Sequence, residues 1–245
     1  MKIGTEYRIE ITKNGYLTIL SNLNNQLYLM HPLKKEVNDF MSTHSNDLKI
    51  RAPLFSSSRY GLRFDLQCGE TGTEDYFHAA VLRAQQLFEE TFSENDNVLF
   101  YLLDFKWKRR KLRFSNDCFK QIKGLTEDEI EFHIVRGLYE SENSLDIRNG
   151  ALIKVLRSRI NHIGIFTTIA NKDFSRQPGL DKYGFLGSKE VYLINLDKQI
   201  IFHMYDDRGL DIIASNIEVL KSVYLKFNHL LLEINRKEID NNFSH

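Results

Sequence analysis

The sequence predicts an α+β protein with a largely antiparallel or mixed sheet, flanked by helices and ending in a β-meander. Short β-rich runs separated by turn residues fill positions 191–214, which is typical of antiparallel strands. Apolar residues recur at helical spacing from Phe77 to Phe88 and again from Leu220 to Ile234. Strands come in runs rather than in strict βαβ alternation. A doubly wound sheet stays open as the alternative, because positions 60–105 read as strand, helix, strand.

The composition favours a folded chain with no strong overall charge. Hydrophobic residues make up 42% of 245 residues, enough to bury a sizeable core. Lys and Arg total 33, as do Asp and Glu, so a charged partner must be met by a local patch. The two cysteines, Cys68 and Cys118, have neither a disulfide-framework spacing nor a zinc-ligand spacing. We therefore expect no metal site and no cofactor.

The expected location is the cytoplasm. Residues 1–6 lack the apolar core of a signal peptide. No stretch approaches the roughly 18 apolar residues of a membrane span. The sequence therefore predicts a soluble protein with no membrane partner.

The amino-terminal residues predict a β-hairpin extension. Residues 7–20 alternate apolar and polar around Lys13-Asn14-Gly15, and Asn-Gly readily forms a tight turn. A short helix is expected at 34–41, after His31-Pro32. We place the extension at residues 1–32 and the main α+β domain at residues 33–245.

The main domain is expected to begin with a strand at 60–66. A helix follows, with Thr71 and Glu74 as a capping box, and then a buried strand at 97–105. Further strands are predicted at 131–135 and 151–160.

A helix is predicted at 161–170, followed by an irregular loop at 171–188 that is a candidate lid or binding loop. After the meander, Ser215 and Glu218 predict the cap of a single closing helix with one apolar stripe.

Several motifs resemble a bacterial family of unknown function, DUF3885. The main likeness is VYLIN at 191–195 leading to FHMYDDRGLD at 202–211. Supporting segments are RFD at 63–65 with GETGTE at 69–74, DFKWKRR at 104–110 and ALIK at 151–154. The likeness runs from about residue 40 to about residue 240, and the opening hairpin lies outside it.

This resemblance implies no established reaction. The family is seen in Gram-positive bacteria, and its size and α+β character are similar to those of immunity proteins that neutralise secreted toxins. The leading hypothesis is accordingly a non-enzymatic protein-binding module, in its specific form an immunity-type toxin inhibitor.

The first candidate site is the turn formed by Tyr205, Asp206, Asp207 and Arg208. Asp and Gly are turn formers, so a structural role by itself explains these residues and is the favoured interpretation. The functional interpretation is a polar contact with a partner protein.

The alternative function is a nucleic-acid binder or a metal-dependent nuclease-like enzyme. Asp104 and Lys106 have the carboxylate-x-lysine spacing of many such nucleases, and Asp65 lies on an earlier strand. The basic run could contact phosphates while an aromatic ring stacks on a base. Its members are Lys106, Trp107, Lys108, Arg109, Arg110 and Lys111, with Arg113 and Phe114 after it.

Two other features favour structural roles. Gly69 and Gly72 precede a helix, as glycines do in a phosphate-binding loop, but the acids beside them would repel phosphate. His203 alternates with Phe202 and Met204, which indicates a strand residue with a satisfied hydrogen bond. No complete catalytic set can be assembled from the sequence.

Overall fold

The computed structural model describes residues 7–11, 17–21, 28–30, 32–44, 49–105, 111–172 and 189–243. Three strands lie in an amino-terminal sheet: β1 Tyr7–Ile11, β2 Leu17–Ser21 and β3 Tyr28–Met30. The main sheet contains β4 Tyr60–Asp65, β5 Asn97–Phe105, β6 Glu131–Arg136, β7 Ile147–Leu156, β8 Lys189–Asn195, β9 Ile200–Met204 and β10 Gly209–Ala214. Every strand predicted from the sequence is thereby confirmed, and β3 was not predicted.

The helices are α1 Pro32–His44, α2 Glu74–Thr91, α3 Asp117–Lys120, α4 His162–Ala170, α5 Ile217–Phe227 and α6 Glu233–Phe243. Both predicted capping boxes were placed wrongly. Thr73 caps α2 by accepting from the Tyr76 amide, and Asn216 caps α5 by accepting from the Glu218 amide. In each case the residue next to the start of the helix supplies the oxygen.

The seven main strands lie in the order β4-β10-β9-β8-β5-β7-β6, and every neighbouring pair is antiparallel. The α+β prediction is confirmed, and the doubly wound alternative is wrong. Strands β4 and β5 flank α2 in the chain, but three other strands separate them in the sheet.

Both faces of the sheet are covered. On one, here called the helical face, Phe100, Leu102 and Leu193 pack with apolar residues of α2, α4, α5 and α6. On the other, here called the second face, Leu99, Tyr101 and Tyr192 pack with α1 and with residues 50–54. Because successive side chains of a strand point to opposite faces, neighbouring residues of one strand enter different cores.

The predicted single closing helix is wrong, because the chain breaks between α5 and α6. Residues 228–230 form a 3-10 turn, and Leu231 makes a β-bridge to Phe64 on the outer edge of β4. Leu230 and Leu231 are buried by this break. Ile234, expected in the apolar stripe, is 87% exposed.

The amino-terminal hairpin is confirmed, with β1 antiparallel to β2 and β3 completing the small sheet. Helix α1 is attached to the main sheet. The carboxylate of Glu131 on β6 accepts from the backbone amides of Leu33 at 2.8 Å and Lys34 at 3.0 Å, which satisfies donors that a helix start leaves open. The division at residue 32 stays a prediction.

Candidate functional site

The turn at 205–208 and the two acids of the second candidate site, Asp65 and Asp104, lie at one end of the main sheet. Strands β4, β5 and β9 end there, at Asp65, Phe105 and Met204, while β8 and β10 begin there. The turn at 205–208 connects β9 to β10 at this end. The basic residues Lys106 to Arg110 and the predicted lid at 173–188 lie outside the described residues.

Asp206 is a structural residue of the turn. One carboxylate oxygen accepts from the backbone amides of Arg208 at 2.8 Å and Gly209 at 3.1 Å. The other accepts from the Arg208 guanidinium, with Nε at 3.0 Å. Asp206 is buried, whereas the Arg208 side chain is 64% exposed. The turn therefore holds Arg208 outward in a defined position.

Asp207 connects the turn to helix α2. Its carboxylate accepts a hydrogen bond of 2.6 Å from the Tyr76 hydroxyl, and both residues are buried. Burial and this contact raise the pKa of Tyr76, so its hydroxyl stays protonated and donating at neutral pH. The two adjacent acids of the motif thus point to different partners and do not converge on one ion.

Tyr205 packs against the start of β10. Its ring lies so close to Gly209 that a Cβ atom there would come within 1.9 Å of the hydroxyl oxygen, so any other residue at this position would displace the Tyr205 ring. Burial, with the nearby Asp211 carboxylate, raises the pKa of Tyr205 to about 12.

Asp65 and Asp104 do not share a site. They lie on β4 and β5, four strand spacings or about 19 Å apart. Asp104 is on the helical face, where it pairs with Lys189 across 3.8 Å. Asp65 follows Phe64, which packs on the helical face, so the side chain of Asp65 points to the second face. Within the described ranges, no three His, Cys, Asp or Glu side chains are grouped to hold a metal ion. A nuclease centre using both acids is not formed.

A cavity of about 220 Å³ opens at the same sheet end, and the sequence did not indicate it. Its polar lining consists of Lys172, Lys189, Glu190, His203 and Tyr205. Its apolar lining consists of Ala52, Ile169, Val191 and Met204. Three of these residues, His203, Met204 and Tyr205, belong to the motif at 202–211.

His203 is one member of a polar row that crosses the second face. Arg63, Asp211, His203, Tyr192 and Tyr101 occupy five neighbouring strands, β4, β10, β9, β8 and β5. Asp211 accepts from Arg63 at 2.8 and 3.0 Å and from the Phe55 amide at 3.1 Å. The His203 ring stacks on Tyr192 with 4.2 Å between centroids. These are the contacts that place the histidine beside the cavity.

Glu190 is the centre of a second polar group, formed with Tyr139, Arg148 and Tyr192. Its carboxylate accepts from the hydroxyls of Tyr192 at 2.6 Å and Tyr139 at 2.9 Å, and from Arg148 at 3.2 Å. Burial of the Tyr139 hydroxyl, together with the nearby Glu190 carboxylate, raises the pKa of Tyr139 to about 12. The charge of Glu190 is therefore balanced from within the fold.

Sequence reasoning missed the polar row because its members are far apart in the chain. The signal in the sequence was the presence of Asp211 and His203 inside otherwise apolar strands, at positions where the alternation points them into the core. The expected satisfied hydrogen bond of His203 exists: its Nδ1 contacts the Val191 carbonyl oxygen at 2.9 Å.

Comparison with known proteins identifies relatives without a described activity. The uncharacterized protein YnaE of Bacillus subtilis (strain 168) is 22% identical over 170 residues, which covers 67% of this chain and 79% of the relative. No solved structure matches the chain significantly. None of the described helices has the length and apolarity needed to cross a membrane.

The segments that carry the family resemblance meet in the structure. RFD at 63–65 and the end of FHMYDDRGLD at 202–211 pair as strands β4 and β10, joined by the contact of Arg63 with Asp211. Residues 37–235 match the family described as Domain of unknown function (DUF3885). Because this match covers most of the chain, the protein belongs to the DUF3885 family.

Proposed function

We propose that the chain is a non-enzymatic protein-binding module, and that the turn from Tyr205 to Arg208 at the sheet end forms part of the contact. The observation that carries this proposal is that the four residues of the turn have different roles. Two buried acids, Asp206 and Asp207, hold its conformation, and Arg208 projects into solvent.

A side chain held in this way suits recognition. Arginine presents five donors in a planar fork and is enriched among residues that dominate binding energy. Because the turn is already ordered, little conformational freedom is lost on binding. The complementary partner surface is acidic.

The neighbouring acids support binding rather than catalysis. Asp104 pairs with Lys189, and Asp207 with Tyr76, so the described acids at this end are held in structural contacts. A general acid or base instead needs a group within reach of a substrate proton.

The experiment compares Arg208→Ala with Lys221→Ala. Lys221 is a matched control because it is also exposed, at 54%, and pairs with an acid three residues away. We expect Lys221→Ala to keep the melting temperature of the parent. Arg208→Ala should lower it by a few degrees, because the buried Asp206 loses the guanidinium but keeps its two backbone donors, so capture is compared well below both transitions. Capture of the native partner from nuclease-treated cell extract should weaken about 30-fold for Arg208→Ala only, since an anchor residue contributes about 2 kcal/mol. Undiminished capture by Arg208→Ala would remove the turn from the contact.

The immunity-type form of the proposal is tested on the captured protein. Expressed alone, that protein should arrest the growth of a bacterial host, and co-expression of the parent chain should relieve the arrest. Relief should be lost with Arg208→Ala and kept with Lys221→Ala. A captured protein without toxicity would limit the function to binding.

A nucleic-acid partner is the second candidate. Arg113 and Phe114 are both exposed next to the basic run, a pairing of cation and ring that suits single strands. Capture that disappears after nuclease treatment would favour this candidate. Binding should then weaken steeply with salt and with Arg113→Ala.

A further inference from the structure

The cavity lies where strands β8 and β9 part. Their pairing ends at Leu193 opposite Phe202, although Val191 stays paired with β5 and His203 with β10. The opening therefore lies between β8, which stays paired with β5, and β9, which stays paired with β10. A volume of 220 Å³ equals that of roughly seven waters, or of an organic molecule of about ten non-hydrogen atoms.

His203 lines this opening, and its ring carries a buried nitrogen without a partner among the described residues. A carbonyl oxygen can only accept, so the contact of Nδ1 with the Val191 oxygen places the ring proton on Nδ1. Burial lowers the pKa of His203, which keeps the ring neutral and leaves a lone pair on Nε2. The side chain is 2% exposed, and Nε2 has no hydrogen-bond partner within the described part of the chain. A buried acceptor in this state is stabilised by a ligand that donates to it.

Two cations and one apolar wall complete the cavity. The Lys172 amino group donates to the Tyr205 carbonyl oxygen, and Lys189 pairs with Asp104 on its other side. Lys172 and Lys189 are the two cations of the lining and Glu190 is its one acid, so the lining residues carry a formal charge of +1. Ile169, Val191 and Met204 supply apolar surface.

We propose that this cavity binds a small carboxylate that also carries an O–H or N–H donor. The carboxylate pairs with Lys172 and Lys189, the donor satisfies Nε2 of His203, and an aliphatic arm packs on the apolar wall. This site shares Tyr205 with the turn of the protein-binding proposal, but Arg208, the residue on which that proposal rests, is not among the residues that line it.

The test uses three aliphatic probes of the same chain length. 2-Hydroxy-4-methylpentanoate has both groups, 4-methylpentanoate lacks the hydroxyl, and 4-methylpentane-1,2-diol lacks the charge. Each is titrated into the full chain labelled with ¹⁵N-histidine, and the imidazole resonances are followed by NMR. We expect the hydroxy acid to bind at least ten-fold more tightly than either control and to shift the Nε2 resonance of His203.

Variants distinguish binding in the cavity from binding elsewhere on the protein surface. Lys172→Met should weaken the hydroxy acid about ten-fold and leave the diol unchanged, whereas Lys221→Ala and Arg208→Ala should change neither. Lys172 is partly exposed, so its replacement is compatible with folding. Equal affinity for all three probes, or no shift of the His203 resonance with any of them, would overturn the proposal.

The same chemistry occurs in free hydroxy acids and at the carboxyl end of a peptide. N-acetyl-leucine, which has an amide N–H beside a carboxylate, and its uncharged amide distinguish these sources. Tighter binding of N-acetyl-leucine than of the hydroxy acid would assign the site to a chain terminus, and the reverse order to a free small molecule. Binding of the uncharged amide as tightly as N-acetyl-leucine would contradict the role of the lysines.

Discussion

The ion pair of Arg63 with Asp211 shows how a single buried charge is accommodated in this fold. Asp211 is 0% exposed and accepts three hydrogen bonds, two from the guanidinium and one from the Phe55 amide. A carboxylate taken out of water requires such compensation. The pair also joins β4, the edge strand, to β10.

Replacing Asp211 with Asn should lower the free energy of unfolding by about 3 kcal/mol, because it leaves Arg63 largely buried without a counter-charge. Urea denaturation measures this change. Asp39→Asn removes an exposed acid that pairs with Lys35 on α1 and should cost less than about 0.5 kcal/mol. A similar loss for both variants would show that burial does not govern the effect.

Glu129 links stability to pH. Hydrogen bonds from Arg159, at 2.7 and 3.1 Å, and from the Thr126 amide lower the pKa of Glu129 to about 2. The ordinary value is 4.5, so the unfolded chain takes up this proton first as the pH falls. The contribution of Glu129 is therefore complete above about pH 4.5 and is lost between there and pH 2.

We expect Glu129→Gln to reduce the free energy of unfolding by about 1 kcal/mol at pH 7, a value for a partly exposed pair. The difference from the parent should shrink steadily below pH 4.5. Urea denaturation at pH 7, 4.5 and 3 follows this trend. A difference that stays constant with pH would assign the effect to the capping geometry rather than to the charge.

At the scale of elements, the β9–β10 hairpin is joined to α2 by one buried hydrogen bond. The Tyr76 hydroxyl in the first turn of the helix donates to Asp207 in the hairpin turn, 131 positions away in the chain. This contact fixes the turn that carries Arg208. The position of the proposed binding residue thus depends on a helix that is remote in sequence.

Tyr76→Phe and Asp207→Asn should each lower the free energy of unfolding by about 2 kcal/mol, since each disrupts a buried hydrogen bond to a charged group. The double variant should lose less than the sum, with a coupling of about 1 kcal/mol measured by a double-mutant cycle. Tyr224→Phe removes a similar bond to Asp240 at 2.8 Å in a more exposed setting and should cost less. Strict additivity of the two changes would argue that the contact is not made in solution.

At the scale of the molecule, helix α1 belongs with the main sheet rather than with the small sheet before it. Val37, Phe40 and Met41 are buried on the second face, and Glu131 caps the start of the helix. The family match begins at residue 37, inside α1. The boundary near residue 32 stays a prediction, which truncation tests.

Removing residues 1–31 should therefore leave the cooperative thermal transition of the main domain within a few degrees of the parent. Removing residues 1–48 should lower the free energy of unfolding by about 5 kcal/mol, because three large apolar side chains lose their burial. Circular dichroism and urea denaturation of both truncations test this. Equal destabilisation by the two would place the small sheet within the folding unit.

The sequence predicted most elements because their signals are local. The meander at 189–214 and the helix at 74–91 were found from alternation and from helical spacing within a single segment. The closing helix was misjudged because the bridge from Leu231 to Phe64 is a contact across 167 positions, and no local pattern records it.

By itself, then, the sequence determined the α+β class, the strands of the main sheet and the motif at the sheet end, since periodicity and turn chemistry act over a few residues. Only the tertiary structure decided which acids meet. Strand order put three strands between Asp65 and Asp104, and the pairing register aligned Arg63, Asp211 and His203 in one row beside a cavity. Strand order and register depend on how distant segments pack, and for this reason the cavity was not apparent in the sequence.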